Sequence, residues 1–389
     1  MKRYKFMIVA GEASGDGHAA KLVRALHEIE PKTHFDFFGS AGEKLREAGV
    51  EAIIEADRLS IVGLAEIGRA LPMFLKAFRS LKQAAIERNP DAVILVDFPD
   101  FNLRLAKSLK KAGLRVIYYI SPQLWAWRKY RIRTVREYVD LMIAILPFEK
   151  DWYAEHGVTN VEYVGNPLAM EVRPTRSKDD FCKKYGIDKE LPIVALLPGS
   201  RHKEIVRILP VMLAGASAIA AKRPEIQFQI ALASNRDHAD VRHIIDKSQI
   251  QGYVLPASLN IIENDTYNAL NASDAAAVTS GTATLEAGIL GTPMAVVYKT
   301  SALNYGLLEP IISVEHYGLI NLIAGERVAK ELIQGDLTAG SLSNELLRLL
   351  EPEINRDMRA RLRGVANKLG HGGASKRAAE AILNIVETQ

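Results

Sequence analysis

Phe6-Met7-Ile8-Val9-Ala10-Gly11-Glu12-Ala13-Ser14-Gly15-Asp16-Gly17 decides the fold. A short apolar run breaks off at a glycine-containing turn, and a helix-like pattern follows. Such a run reads as a strand buried on both faces, as in a parallel sheet covered by helices. The unit recurs along the chain. Further runs are His34–Phe38, Ala92–Val96, Val116–Ile120, Leu141–Leu146 and Val161–Val164, and a second series comprises Ile193–Leu197, Phe228–Ala233, Asp274–Thr279 and Met294–Tyr298. Two series of strand–helix units predict an α/β protein with two Rossmann-like, doubly wound parallel-sheet domains facing a cleft. The break falls near Gly165-Asn166-Pro167, giving domains at 1–166 and 167–350. The polar stretch 351–389 reads as a helical tail that folds back on the first domain or reaches a partner subunit.

The bulk composition agrees with two globular domains. The chain has 389 residues, 48% hydrophobic and 25% charged, enough to bury a core without crosslinks. Cys182 is the lone cysteine, so no internal disulfide forms, which points to the cytosol. Phe6–Ala10 is too short for the apolar segment of a signal peptide, and no run approaches the roughly 18 apolar residues of a spanning helix. A net charge of +4 is too mild for a nucleic-acid partner but suits an anionic surface or a phosphorylated substrate.

Ligands of doubly wound folds bind at the carboxyl ends of the strands, so the chemistry is sought there. The turn carrying Glu12, Ser14, Gly15 and Asp16 opens a helix, whose free N–H groups suit an anion or sugar hydroxyls; a tight structural turn is the plain alternative. Val96-Asp97-Phe98-Pro99-Asp100 places two carboxylates at the end of another strand, where a base would take a proton from an attacking hydroxyl. Asp100 suits the cap of a helix starting near Phe101, which leaves Asp97 freer. Ser121-Pro-Gln-Leu-Trp-Ala-Trp-Arg128 sets an arginine beside tryptophans, suited to phosphate or to a membrane interface, and the outer arginines read as a solvated basic helix.

In the second series, Leu197-Pro-Gly-Ser-Arg201 offers a glycine turn and a guanidinium for a diphosphate, or else a surface ion pair. Ser280, Gly281 and Thr282 open another helix, with Glu286 one turn in, where it reaches a ribose or stabilises the helix itself. Asn321 and Gln334 are polar residues in apolar surroundings. No zinc-type cluster, His-Glu-x-x-His, Gly-x-Ser-x-Gly or Asp-x-Asp pair occurs, so no metal or cofactor is expected. Leu64, Ile67, Leu71, Phe74, Leu75 and Phe78 fall on one helical face, opposite Arg69, Lys76 and Arg79. Such a stripe belongs to a core or to a lipid interface, and Pro72 is expected to split or kink its helix.

Taken together the segments resemble the lipid-A-disaccharide synthase family. The resemblance rests on Ala10–Asp16, Asp97-Phe-Pro-Asp-Phe-Asn102, Ser121–Arg128, Leu146-Pro-Phe-Glu149, Leu196–Arg201, Ser280-Gly-Thr-Ala-Thr-Leu-Glu286 and Asn321-Leu-Ile-Ala-Gly325, in the family's order. The family often has histidine where Tyr119 and Asn166 stand here. The resemblance implies a GT-B fold and an inverting, metal-independent hexosyltransferase. The 6-hydroxyl of 2,3-diacylglucosamine 1-phosphate attacks C1 of UDP-2,3-diacylglucosamine, giving a β-1′,6-linked disaccharide and UDP in lipid A and lipopolysaccharide synthesis.

On that reading Asp97 is the base, with Asp100 as alternative, and Glu12–Asp16 face the reacting sugars. Arg201 and Ser280–Thr282 stabilise the leaving diphosphate, while Glu286, Asn321 and Gln334 hold the nucleotide. The protein would sit on the inner face of the cytoplasmic membrane, with the Leu64–Phe78 stripe touching lipid or acyl chains and the tail inviting a homodimer. Two rival readings are a UDP-sugar epimerase or hydrolase on the same fold and a non-catalytic lipid-binding protein of the membrane surface.

Overall fold

Residues 6–10 are fully buried, and their side chains alternate between two cores. Phe6, Ile8 and Ala10 face one way, and Met7 and Val9 the other. A strand buried on both faces needs helices above and below, and the computed structural model supplies them. It describes residues 2–56, 67–232, 238–250, 254–301, 305–306 and 315–388. The chain forms two compact units, Met1–Pro167 with His371–Gln389, and Leu168–Gly370.

The first unit contains strands β1 (Arg3–Ala10), β2 (His34–Ala41), β3 (Glu51–Glu55), β4 (Ala92–Val96), β5 (Val116–Tyr119), β6 (Leu141–Ala144) and β7 (Val161–Tyr163). They form one parallel sheet of order β3-β2-β1-β4-β5-β6-β7. Its helices are α1 (Ala13–Ile29), α2 (Glu43–Glu47), α3 (Ile67–Arg88), α4 (Pro99–Lys110), α5 (Ile132–Tyr138) and α6 (Glu149–Glu155). Leu22, Val23 and Leu26 of α1 cover the Phe6–Ile8 face. Leu81 and Ala85 of α3, with Leu105 and Leu109 of α4, cover the Met7–Val9 face.

The second unit contains β8 (Ile193–Leu197), β9 (Gln227–Leu232), β10 (Leu259–Glu263), β11 (Ala275–Thr279), β12 (Met294–Tyr298) and β13 (Glu331–Ile333). Their order is β10-β9-β8-β11-β12-β13, again all parallel. The helices are α7 (Leu168–Glu171), α8 (Lys178–Tyr185), α9 (His202–Ala220), α10 (His238–Ile250), α11 (Thr266–Ala272), α12 (Thr282–Ile289), α13 (Leu319–Ala324), α14 (Ala339–Leu349) and α15 (Pro352–Lys368).

The stretch 351–389 is not one tail. Helix α15 packs inside the second unit, while α16 (Ala374–Glu387) returns to the first, where its Ala378, Ala379 and Ile382 join the core beside α1. Pro72 does not split α3. The helix runs on through it from Ile67 to Arg88, although Pro72, as its sixth residue, cannot donate the hydrogen bond that its position would make to the preceding turn.

The direction of winding reverses beside β1 in one sheet and beside β8 in the other. Ala10 is level with Val96, and Leu197 with Val278, so in each unit two strand ends meet at a topological switch point. That is where an open α/β sheet leaves room for a ligand.

Candidate active site

At the switch point of the first unit, β1 ends in Gly11 and β4 in Asp97. A side chain at Gly11 would place its Cβ 2.3 Å from the Phe98 ring, so the close approach of the two turns requires glycine. Asp97 and Phe98 both adopt left-handed backbone (φ 49° and 50°), at about 1–2 kcal/mol each for residues with a Cβ. The neighbours hold that conformation. The Asp97 N–H donates to the Tyr119 carbonyl (3.0 Å). Its carbonyl accepts from the buried Tyr118 hydroxyl (2.7 Å) and from Asn102 Nδ2 (2.8 Å). The backbone is thus pinned while the half-buried carboxyl group is left to act.

The two aspartates of this turn differ in environment. Burial raises the Asp97 pKa, the negative charge of Glu12 raises it further, and the Phe98 N–H only partly offsets them. Asp100 is exposed and sits in the first turn of α4, which begins at Pro99 and has Phe98 as its cap residue; Asp100 is therefore not the cap. Burial alone would raise its pKa, but hydrogen bonds and charge from Arg131 and Arg128 outweigh it and hold the carboxyl below the ordinary range. Arg128 Nη1 lies 2.7 Å from Asp100 Oδ1, and Arg131 pairs with the same oxygen. A carboxylate so paired is a poor proton acceptor.

Glu12 and Ser14 are exposed at the start of α1, and Gly15 is buried against the end of β4. Asp16 departs from expectation. It is 3% exposed, and its carboxylate accepts from the N–H groups of Gly42 (2.7 Å) and Lys44 (2.9 Å). It caps α2 and does not face a substrate, because those N–H groups have no partner within their own short helix.

In the second unit a cavity of about 700 Å³ opens at the switch point. Gly199–Arg201, Ser280–Thr282 and Glu286 all line it. Arg201 is the N-cap residue of α9, with its side chain 82% exposed, and among the described residues its guanidinium reaches only Glu204 Oε1, at 3.4 Å. Glu204 folds back over the Ser200 and Arg201 N–H groups, at 3.2 Å each. Ser280 Oγ donates to the Tyr317 carbonyl (2.6 Å), and Gly281 (φ 137°) caps α12 in a conformation that favours glycine. Glu286 accepts from the Tyr267 hydroxyl at 3.1 Å; burial raises its pKa and that bond lowers it.

Asn321 and Gln334 do not line the cavity. Asn321 is fully buried, donating to the Ala329 carbonyl (2.7 Å) and Glu331 Oε1 (2.9 Å) and accepting from the Ala329 N–H (2.8 Å). Those bonds tie α13 to β13 and leave it no reach to a nucleotide. Gln334 accepts from the Thr300 N–H (2.9 Å) and secures the turn after β12. Of the apolar stripe, Leu64 and the side chain of Ile67 lie outside the described residues. Phe74 and Phe78 turn inward onto Phe101, whereas Leu71 and Leu75 are 52% and 46% exposed. The stripe therefore straddles the edge of the core.

The model of the family described as Lipid-A-disaccharide synthetase matches residues 6–386. The chain is 43% identical to the lipid-A-disaccharide synthase of Syntrophus aciditrophicus, over 98% of this chain and 97% of that one. It is 39% identical to that of Geobacter sulfurreducens, over 99% and 98%. The chain belongs to the lipid-A-disaccharide synthase family. Its activity is a glycosyl transfer of lipid A synthesis. Solved structures show the fold at lower identity. The UDP-GlcNAc 2-epimerase of Neisseria meningitidis, bound to UDP-GlcNAc, aligns with a TM-score of 0.62 and 15% identity over 99% of this chain and all of that one. A glycosyltransferase of Rickettsia africae aligns at 0.58 and 11% over the full length of both. The architecture of this synthase-family chain is GT-B.

Part of the cavity lining was not legible in the sequence. Arg173, Thr175 and Asn264–Asn268 line the cavity, and Tyr267 orients Glu286. Residues 264–268, the turn after β10 and the start of α11, follow a strand whose polar ends hide it. Glu204 stands three residues beyond Arg201, the spacing of a capping box, and that signal was available.

Proposed function

We propose that the cavity of the second unit binds UDP-2,3-diacylglucosamine and that Asp97 activates the 6-hydroxyl of 2,3-diacylglucosamine 1-phosphate. The hydroxyl oxygen attacks C1, its proton passes to the Asp97 carboxylate, and the C1–O bond to UDP breaks. The anomeric centre inverts, giving the β-1′,6-linked disaccharide 1-phosphate and UDP. Arg201 and the N–H groups opening α12 receive the charge developing on the diphosphate, a role that requires no metal ion. Glu286 sits where it accepts hydrogen bonds from the nucleoside's ribose.

The observation that carries this reading is the contrast between two carboxylates on one turn. Asp100 is neutralised by two arginines, while Asp97 has no ion pair among the described residues and a raised pKa. A base needs a free carboxylate with enhanced basicity. The epimerase alternative rests on folds only 15–17% identical, whereas the synthases are 38–43% identical over nearly the whole chain.

With a lipid acceptor the reaction would occur at a membrane surface, and the proposed site is the inner face of the cytoplasmic membrane. No helix among the described residues is long and apolar enough to cross it. Leu71 and Leu75, beside exposed Lys76 and Arg79, supply apolar and cationic groups for peripheral contact. The packing of α16 on α1, made by the tail of a second copy, would join two chains as a dimer.

The test is an assay in EDTA with both lipid substrates, following UDP and disaccharide by mass spectrometry. Disaccharide formed in step with UDP, and only with acceptor present, is the expected result. UDP released without acceptor would instead mark a hydrolase, and loss of turnover in EDTA would end the metal-free mechanism.

A further inference from the structure

The sequence analysis left Leu146-Pro-Phe-Glu149 without a role, and the structure buries its carboxylate. Glu149 is 1% exposed, at the start of α6. Oε1 accepts from Trp125 Nε1 at 3.1 Å, and Oε2 from the N–H groups of Leu146 (3.0 Å) and Ile145 (3.3 Å). Trp125 is itself buried and sets its ring edge-on to Phe148, with centroids 5.1 Å apart. The Ser121 hydroxyl donates to Tyr153 at 3.0 Å, tying the other end of the same turn to α6. The turn 121–128 ends in Arg128, which stacks over Trp127 (4.1 Å) and pairs with Asp100.

From these contacts we infer that Glu149 is a positioning residue for the transfer reaction: through Trp125 it fixes the turn 121–128, so that Arg128 keeps Asp100 engaged and leaves Asp97 as the base. The inference rests on the proposed role of Asp97.

The choice of an acid supports it. Only neutral donors surround the carboxylate, and no ion pair reaches it among the described residues. Burial pushes its pKa up to about 7, against the pull of the Leu146 N–H, Trp125 and Ser121. Such a buried acid makes the fold less stable at alkaline pH than a neutral residue of the same shape would. Its retention fits a task that needs an acceptor for several donors at once. Protonation adds an O–H among groups that are already donors, which loosens Trp125. The other titratable groups facing Glu149 are Tyr153 on α6 and Tyr163 on β7; burial raises both, Tyr163 to about 12, and Arg377 of α16 faces Tyr163. Neither tyrosine titrates near neutrality, so a transition there belongs to Glu149.

The experiment labels the full chain with fluorotryptophan. Its three tryptophans give separate fluorine NMR signals, and Trp125→Phe assigns one of them. The Trp125 signal is expected to shift with a midpoint near pH 7 in the wild type and to stay fixed in Glu149→Gln. Both variants should lose about 3- to 10-fold in kcat, no more than the loss of the Asp100 ion pairs themselves, with the KM for the donor unchanged. A Trp125 signal that ignores pH, or variants with lowered melting temperature but wild-type kcat, would overturn the inference. If Glu149→Gln does not fold, Trp125→Phe carries the kinetic arm: it removes the N–H that Glu149 accepts and keeps an aromatic ring beside Phe148, and its melting temperature reports the packing lost with the smaller ring. Full activity in Asp97→Asn would sink the base assignment while leaving the Trp125 titration standing, so the two failures are distinguishable.

Discussion

The two switch points are built alike and finished differently. In the first unit nearly every polar group near the strand ends is engaged by the protein: Asp16 by the α2 N–H groups, Asp100 by arginines, and Glu149 by Trp125 and two backbone amides. Asp97 is left as a free carboxyl group on a pinned backbone. In the second unit the strand ends open into a cavity, and Arg201 projects into solvent, its guanidinium making a long contact to Glu204. A group that moves a proton must be placed in advance, which takes a buried network. A group that receives a bound diphosphate can wait exposed, because the ligand supplies the missing charge.

The contrast breaks first at Asp97. Asp97→Asn should lower kcat by roughly 10²- to 10⁴-fold, with UDP affinity by calorimetry unchanged; full turnover would move the base elsewhere. In the wild type, protonating Asp97 removes the base, so rate falls as pH falls. Because the pKa is raised, that fall begins above the ordinary carboxylate value of 3.8. Next comes the opposite unit. Arg201→Ala should weaken UDP binding by about 10- to 100-fold, the worth of a hydrogen bond to a charged group. Equal weakening of a neutral uridine ligand would mean that Arg201 does not read phosphate.

Asn321→Ala leaves the N–H and C=O of buried Ala329 without their partner, while Glu331 Oε1 keeps the Gly318 N–H. It should cost about 1–3 kcal/mol of stability, read as a lower melting temperature, with UDP affinity intact in the folded fraction. A selective loss of UDP affinity would return Asn321 to the site. Asp100→Asn should reduce kcat by about tenfold or less, since exposed ion pairs contribute roughly 0–1 kcal/mol; a drop matching Asp97→Asn would erase the distinction between the two aspartates. Smallest in stability is Leu71→Ser with Leu75→Ser, both exposed. Such surface changes stay within about 0.5 kcal/mol, yet should reduce co-sedimentation with anionic vesicles.

The same buried acids give the fold a pH dependence. Glu149 takes up a proton on folding between its ordinary 4.5 and about 7, so stability rises as pH falls through that window and is lost above it. The change corresponds to on the order of 3 kcal/mol.

The sequence by itself determined the central strands, because those runs are apolar on both faces and bounded by glycine turns. It also marked Gly11, Asp97, Gly199 and Gly281 as strand ends, while the strand order of the fold decided which of those ends meet at the switch points. Edge strands β3, β10 and β13 were not legible: Glu51-Ala-Ile-Ile-Glu55, Leu259-Asn-Ile-Ile-Glu263 and Glu331-Leu-Ile333 carry polar residues because one side of each meets solvent. Only the tertiary structure decided what the polar residues do. Of the acids Asp16, Asp97, Asp100 and Glu149, one caps a helix, one has no ion pair among the described residues, one is ion-paired and one is buried on a tryptophan, and none of these partners follows from its neighbours along the chain. The same holds for Asn321, whose surroundings look like a binding motif until both ends of its amide are found bonded inside the fold. A side chain's chemistry is set by its donors, its charges and its exposure to water, and these come from residues far away in sequence.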